Sequence, residues 1–114
     1  MKPTGALPSL SMVPLSLSAW LERLESQHPV EIELGLDRVS AVADKLGLRS
    51  SPTTTLTVAG TNGKGTVVTF LSAALVHSGK RVGRYTSPHL NRFNERVCID
   101  DVEVRDSELV AAFE

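Results

Sequence analysis

The sequence predicts an α/β fold in which a parallel sheet is flanked by helices, and two stretches carry the prediction. In the first, Thr55, Leu56, Thr57 and Val58 suit a strand, glycines follow, and Val67, Phe70, Leu71, Ala74 and Leu75 then recur at the three- and four-residue steps of a helix. In the second, Ser78-Gly79 stops that helix and Arg81-Val82-Gly83-Arg84-Tyr85 reads as the next strand. Strand, helix and strand within so short a span imply a right-handed crossover between two parallel strands.

Between the first strand and its helix lies Gly60-Thr61-Asn62-Gly63-Lys64-Gly65-Thr66. Gly60, Gly63 and Gly65 reach backbone angles closed to other residues and carry no side chain, so consecutive N–H groups can turn inward around phosphate oxygens. The following helix points its positive end at the same place. Lys64 supplies a mobile positive charge for the outer phosphates, and the Thr66 hydroxyl can reach a magnesium ion. The general pattern G-x-x-x-x-G-K-[ST] asks for glycine where Val58 stands and a hydroxyl residue where Gly65 stands, so this is a variant loop. A glycine turn of purely structural purpose leaves the lysine at the helix entrance unexplained. The expected fold is therefore P-loop NTPase-like, with nucleotide phosphates as the ligand.

A chain of 114 residues with 41% hydrophobic residues can form one globular domain. Twelve basic against thirteen acidic residues leave a net charge of -1, which gives no general drive toward nucleic acid or an anionic membrane. The local cluster Lys80, Arg81, Arg84, Arg92 and Arg96 reads as a solvated surface interleaved with core positions. The one cysteine, Cys98, excludes an internal disulfide framework and any CxxC metal knuckle; it reads as a small core residue and fits a reducing, cytoplasmic compartment. No apolar run approaches the roughly 20 residues needed to span a bilayer. Pro3, Pro8 and Pro14 interrupt any signal core at the start, so residues 1–15 are expected to form a mobile tail and 16–114 the folded part.

Taken in order, Leu17, Trp20, Leu21 and Leu24 share a helical face, with Ser16 or Ser18 as cap and His28-Pro29 as stop. Val30, Ile32 and Leu34 alternate with Glu31 and Glu33; by composition Ile32 to Leu36 is an ordinary helix entry. A second helical pattern runs through Leu36, Val39, Ala43 and Leu46 until Gly47. Arg49 to Thr54 connects into the central strand. Ligands of parallel sheets sit beyond the carboxyl ends of the strands, so Thr86-Ser87-Pro88-His89 is expected at the same edge as the phosphate loop. Ser87 there either presents its hydroxyl to magnesium or simply makes a Ser-Pro turn, and the residues alone leave both open. His89 reads as a loop histidine with a structural hydrogen bond. Asn91 to Glu95 looks like a polar loop. Arg96 to Ile99 and Val102 to Val104 suggest a hairpin around Asp100-Asp101, with a connection looser than two residues because Asp-Asp is a poor tight turn. Asp106 or Ser107 is expected to cap a last helix. Glu95, Asp100 and Asp101 are better read as loop and hairpin residues than as the second-strand carboxylate that phosphoryl transfer uses to organise a metal.

The motifs I-E-L-G-L-D-R-V (Ile32 to Val39), V-A-G-T-N-G-K-G-T (Val58 to Thr66), Y-T-S-P-H-L (Tyr85 to Leu90) and R-F-N-E-R-V (Arg92 to Val97) appear in this order. Together they resemble the bacterial bifunctional dihydrofolate synthase/folylpolyglutamate synthases of the Mur ligase superfamily, whose own loop has the form G-T-N-G-K-G-[ST]. The resemblance runs from about Trp20 to the end. It implies the N-terminal part of the ATP-binding domain of such a ligase, without the rest of that domain or the C-terminal domain. It implies an enzyme using ATP and Mg2+ to join L-glutamate to dihydropteroate and to tetrahydrofolate and its polyglutamates through an acyl phosphate, acting as a cytoplasmic monomer. Carried over by motif, Thr61, Asn62, Gly63, Lys64, Gly65 and Thr66 would contact the ATP phosphates, with Lys64 the catalytic group. Ser87 and Thr66 would hold the metal, and Ile32, Glu33 and Leu34 would meet the pterin, which reverses the compositional reading there. Arg92 to Arg96 resembles the mobile loop over the substrate. The family's metal-binding glutamate and histidine and its modified lysine have no counterpart here, so the isolated chain is expected to be inactive. Two alternatives stand beside this: another Mur-type ligase, such as one acting on cell-wall peptides, against which the pterin segment speaks, and a non-catalytic nucleotide-binding module.

Overall fold

A computed structural model describes residues 15–27, 35–50 and 52–114. The tail expected over 1–15 lies outside them apart from Leu15, as do the His28-Pro29 stop and the Ile32-Glu33-Leu34 segment. Helix α1 runs Leu17–Ser26 and starts as the sequence predicts, with Ser16 as cap: its Oγ accepts the Ala19 N–H at 3.2 Å, satisfying a donor the first turn leaves open. Trp20 of α1 packs its ring 5.8 Å from that of Phe113 near the end of the sequence, so it is a packing residue. Helix α2 spans Asp37–Lys45. Gly47, at φ 68, closes it in the left-handed conformation and donates its N–H to the Asp44 carbonyl at 3.1 Å.

Helix α3 (Lys64–His77) follows the phosphate loop, and three strands come next: β1 (Gly83–Tyr85), β2 (Val97–Ile99) and β3 (Val102–Glu103), before helix α4 (Asp106–Phe113). The sheet runs β1-β2-β3 and is antiparallel at both joins. This corrects the expected parallel sheet. Residues 52–60 enter no ladder, and β1, which begins at Gly83 rather than Arg81, pairs instead with β2 in the register Gly83↔Ile99, Arg84↔Cys98 and Tyr85↔Val97. The chain reverses between β1 and β2, so the pairing that forms is the one a modest loop can close.

The hairpin β2–β3 lies where the sequence places it, but its turn is tight. Ile99 pairs with Val102, leaving Asp100 and Asp101 alone in the turn at φ 50 and 66. Two positive φ values define the turn whose twist suits a two-residue hairpin, and aspartate tolerates that region better than most residues. Contacts from elsewhere hold it: Asp100 Oδ1 accepts the Val82 N–H at 2.8 Å and Asp101 Oδ1 accepts the Ser72 hydroxyl at 2.6 Å. Helix α4 is preceded by Arg105, not capped by Asp106 or Ser107; the Glu108 carboxylate reaches back to the Arg105 N–H at 2.8 Å.

The buried apolar residues, Cys98, Val104 and Leu109, lie on β2, just after β3 and on α4. Cys98 is thus the small core residue expected. Beside them Asn94 is buried within a short 3-10 turn (Phe93–Arg96), not in an open polar loop; its Nδ2 donates to the Val104 carbonyl at 2.9 Å and to Asp106 Oδ1 at 2.8 Å. Helix α3 forms where its periodicity predicts, yet Val67, Phe70 and Leu71 remain exposed. Among the described residues no helix is long and apolar enough to cross a membrane.

Candidate functional site

The phosphate loop is bent by its glycines. Gly60 has φ 154, and Gly63 sits at φ 78 immediately before α3, a conformation that costs other residues roughly 1–2 kcal/mol. The first bond of α3 is from the Val67 N–H to the Gly63 carbonyl, so the amides of Lys64, Gly65 and Thr66 have no acceptor inside the helix. A side chain at Gly65 would meet nothing within 4 Å. Nothing among the described residues therefore requires glycine there, and the space beside it is open to a phosphate approaching the backbone. Lys64 folds back, its Nζ donating to the Gly60 carbonyl at 2.6 Å, which keeps the ammonium over the loop. Exposed amides, an open face and a nearby ammonium fit a phosphate group.

The partners of α3 fix its direction. Ser72 meets Asp101 at the hairpin tip, next to the start of β1, and Thr69, one turn nearer the N-terminus of α3, accepts from Arg84 Nη1 in the middle of β1 at 3.1 Å. The helix therefore runs opposite to β1, and its N-terminal turn, with Gly65 and Thr66, points toward the end of β1 where Thr86 and Ser87 follow. The same-edge expectation thus agrees with this direction, although the described residues do not form the parallel sheet that suggested it. Thr61, Asn62, Thr66 and Ser87 are all exposed. The proposed pterin residues Ile32, Glu33 and Leu34 fall outside the described residues.

After the cis Ser87–Pro88 bond, a second loop closes on itself. Glu95 accepts the N–H groups of Leu90, Asn91 and Arg92 at 2.9, 2.9 and 2.7 Å. The backbone donations, from Leu90 first, hold the Glu95 carboxyl below its ordinary value, with a smaller contribution from His89. His89 Nδ1 accepts from Arg96 Nε at 2.8 Å, the structural bond expected of it. The arginine cluster resolves into separate roles. Arg84 donates to Thr69 and to Cys98 Sγ at 3.0 Å, Arg92 pairs with Asp106 at 3.2 Å and Arg96 lies over the Phe93 ring. Lys80, Arg81 and Arg92 are exposed, as the solvated-surface reading expects, whereas Arg84 and Arg96 are half-buried.

Comparison with known proteins adds identity to this geometry. No family model matches the chain. The dihydrofolate synthase/folylpolyglutamate synthase of Haemophilus influenzae is 47% identical over 97 residues, 85% of this chain. The chain is homologous to these folate ligases. It spans 22% of that relative's length. Among solved structures, the Escherichia coli FolC complex with DHPP and ADP superposes with a TM-score of 0.80 at 45% identity, covering 86% of this chain and 24% of that one. The Yersinia pestis bifunctional synthase complexed with AMPPNP and Mn ion gives 0.76 at 49% identity, over 84% and 23%. The fold shared with the folate ligases is thus that of a small α/β segment bearing a three-stranded antiparallel sheet.

Sequence reasoning passed over Ser72 and read Asn94 and Asp101 only as loop and turn residues, without their distant partners. A serine within an apolar helical run and two turn residues carry no periodic signal, and their partners come from distant positions. The two turns opened by Glu95 and Glu108 did carry one: each glutamate stands three residues after the residue whose N–H it accepts.

Proposed function

We propose that this sequence serves an ATP-dependent carboxylate–amine ligase that adds L-glutamate to dihydropteroate and to tetrahydrofolate and its polyglutamates in the cytoplasm. The observation that carries the proposal is the 47% identity to a dihydrofolate synthase/folylpolyglutamate synthase, together with a loop whose unpaired amides suit phosphate. The relative bound to AMPPNP and Mn supports ATP and a divalent ion as ligands; we assign magnesium to that role.

A carboxylate does not react with an amine at a useful rate near neutral pH, since its leaving group is poor. Transfer of the ATP γ-phosphoryl group to the acceptor carboxylate gives ADP and an acyl phosphate. The amine of glutamate then attacks the acyl carbon, phosphate leaves with the C–O bond pair, and the amine's proton passes to solvent. In this reading the backbone of Thr61, Asn62, Gly63, Lys64, Gly65 and Thr66 orients the triphosphate, and Lys64 leaves the Gly60 carbonyl to offset charge on the moving phosphoryl group. Ser87 and Thr66 would hold the metal, which when bound neutralises phosphate oxygens. Ile32, Glu33 and Leu34 would take the pterin. Among the described residues no group of three or more His, Cys, Asp and Glu side chains is placed to hold a metal ion.

The test is release of ADP by the full-length ligase, dependent on both glutamate and a pteroate or folate acceptor. Turnover on muramyl peptides but not on pteroates would reject the assignment.

A further inference from the structure

Helix α3, which carries the proposed phosphate-binding turn, buries little apolar surface: Val68, Leu75 and Val76 are only half-buried. Its one buried residue among the described contacts is the polar Ser72, while Phe70 is 74% exposed. Two polar links on one face, three residues apart, fasten it to the sheet. One is a relay: Arg84 Nη1 donates to Thr69 Oγ1, whose hydroxyl donates to the Gly65 carbonyl at 2.8 Å. The other is the 2.6 Å bond from the Ser72 hydroxyl to Asp101 Oδ1, a length typical of a hydroxyl donating to a charged carboxylate.

Asp101 stands at φ 66, where glycine is more at ease. A residue chosen only to make the turn would be glycine; aspartate adds a contact that glycine cannot make. Its neighbour Asp100 fastens the same hairpin tip to the start of β1 through the Val82 N–H. The tip thus grips strand and helix together. We propose that Asp101 is a positioning residue for phosphate binding: acting through Ser72, it fixes the rotation of α3 against β1 and so the direction in which the Lys64, Gly65 and Thr66 amides meet a ligand. This inference rests on the phosphate-binding reading of the loop, and Asp101 itself touches no ligand.

Two substitutions separate this role from turn-making. Asp101→Gly suits the backbone angle and removes the acceptor; Asp101→Asn keeps both an acceptor oxygen and tolerance of the left-handed region. The readouts are the melting temperature, AMPPNP affinity by calorimetry with Mg2+, and amide exchange along α3. The expected result for Asp101→Gly is an unchanged or higher melting temperature, faster exchange in α3 and AMPPNP binding about tenfold weaker, with Asp101→Asn restoring affinity to within about threefold of the native protein. Ser72→Ala breaks the same contact from the helix side and is expected to reproduce the loss, which guards against a glycine variant that folds poorly. Native AMPPNP affinity and native α3 exchange in Asp101→Gly and Ser72→Ala would overturn the proposal. If the native protein binds no AMPPNP, or Lys64→Ala binds it equally well, the phosphate reading fails instead, and the positioning of α3 stands or falls on exchange alone.

Discussion

Two loops emerge at the same end of the molecule and treat their backbone amides in opposite ways. In the loop before α3, the amides of Lys64, Gly65 and Thr66 find no acceptor in the helix, and glycines keep the space beside them open. In the loop after β1, three successive amides, of Leu90, Asn91 and Arg92, converge on one carboxylate, that of Glu95. The second loop carries its own anion and is complete. The first leaves its donors and the positive helix end exposed, the arrangement that the proposed phosphate would use. The contrast shows why a run of amides by itself does not mark a ligand site; what distinguishes one is whether the chain supplies the acceptor.

The comparison breaks most readily at Lys64. Lys64→Ala removes the one side-chain cation of the open loop, and MgATP affinity is expected to fall by roughly 100-fold, measured by calorimetry, with the melting temperature unchanged because Lys64 is exposed and bonds only to the Gly60 carbonyl. A variant that binds as tightly would place the anion elsewhere. Next is Asn94, beneath the closed loop. Asn94→Ala strips the Val104 carbonyl and Asp106 of a buried donor and is expected to cost about 1–3 kcal/mol in urea unfolding; a neutral outcome would mean water replaces it freely.

Gly63→Ala tests the bend of the open loop. At φ 78 the added methyl strains the backbone by about 1 kcal/mol, though nothing crowds it, so stability should fall slightly and ligand affinity with it. An unchanged melting temperature and affinity would show that the bend relaxes without penalty. The smallest effect is a pH dependence confined to the closed loop. Its carboxylate is held below the ordinary value, so the ionised form stabilises the fold: that contribution is present above the unfolded-state value and disappears as pH falls through the lower, folded one. Amide exchange at Leu90, Asn91 and Arg92 should therefore accelerate only below the usual glutamate range, and Glu95→Gln should remove that dependence. Acceleration at neutral pH would contradict the bonding.

How much of this was legible follows the range of the interactions. The open loop, the Ser16 cap, the Gly47 stop and the hairpin site are written in neighbouring residues, and each lies where the sequence puts it. The strand partner was not legible, since alternation says that a segment can pair but not with what: β1 met β2, and residues 55–58 met no strand. The tight Asp-Asp turn was misread because its support comes from Val82 and Ser72, which lie 18 and 29 residues away. Asn94 looked like a solvated loop residue because its burial depends on Val104 and Asp106. The motifs gave the family, because each is a run of neighbouring residues.

The central claim is that the open loop receives phosphate through its backbone. The most direct measurement is an amide NMR titration with AMPPNP and Mg2+. The account predicts large, saturable shifts at Lys64, Gly65 and Thr66, and much smaller ones at Leu90, Asn91 and Arg92, whose donors are already taken. Saturable binding that leaves the Lys64, Gly65 and Thr66 amides unmoved would contradict it.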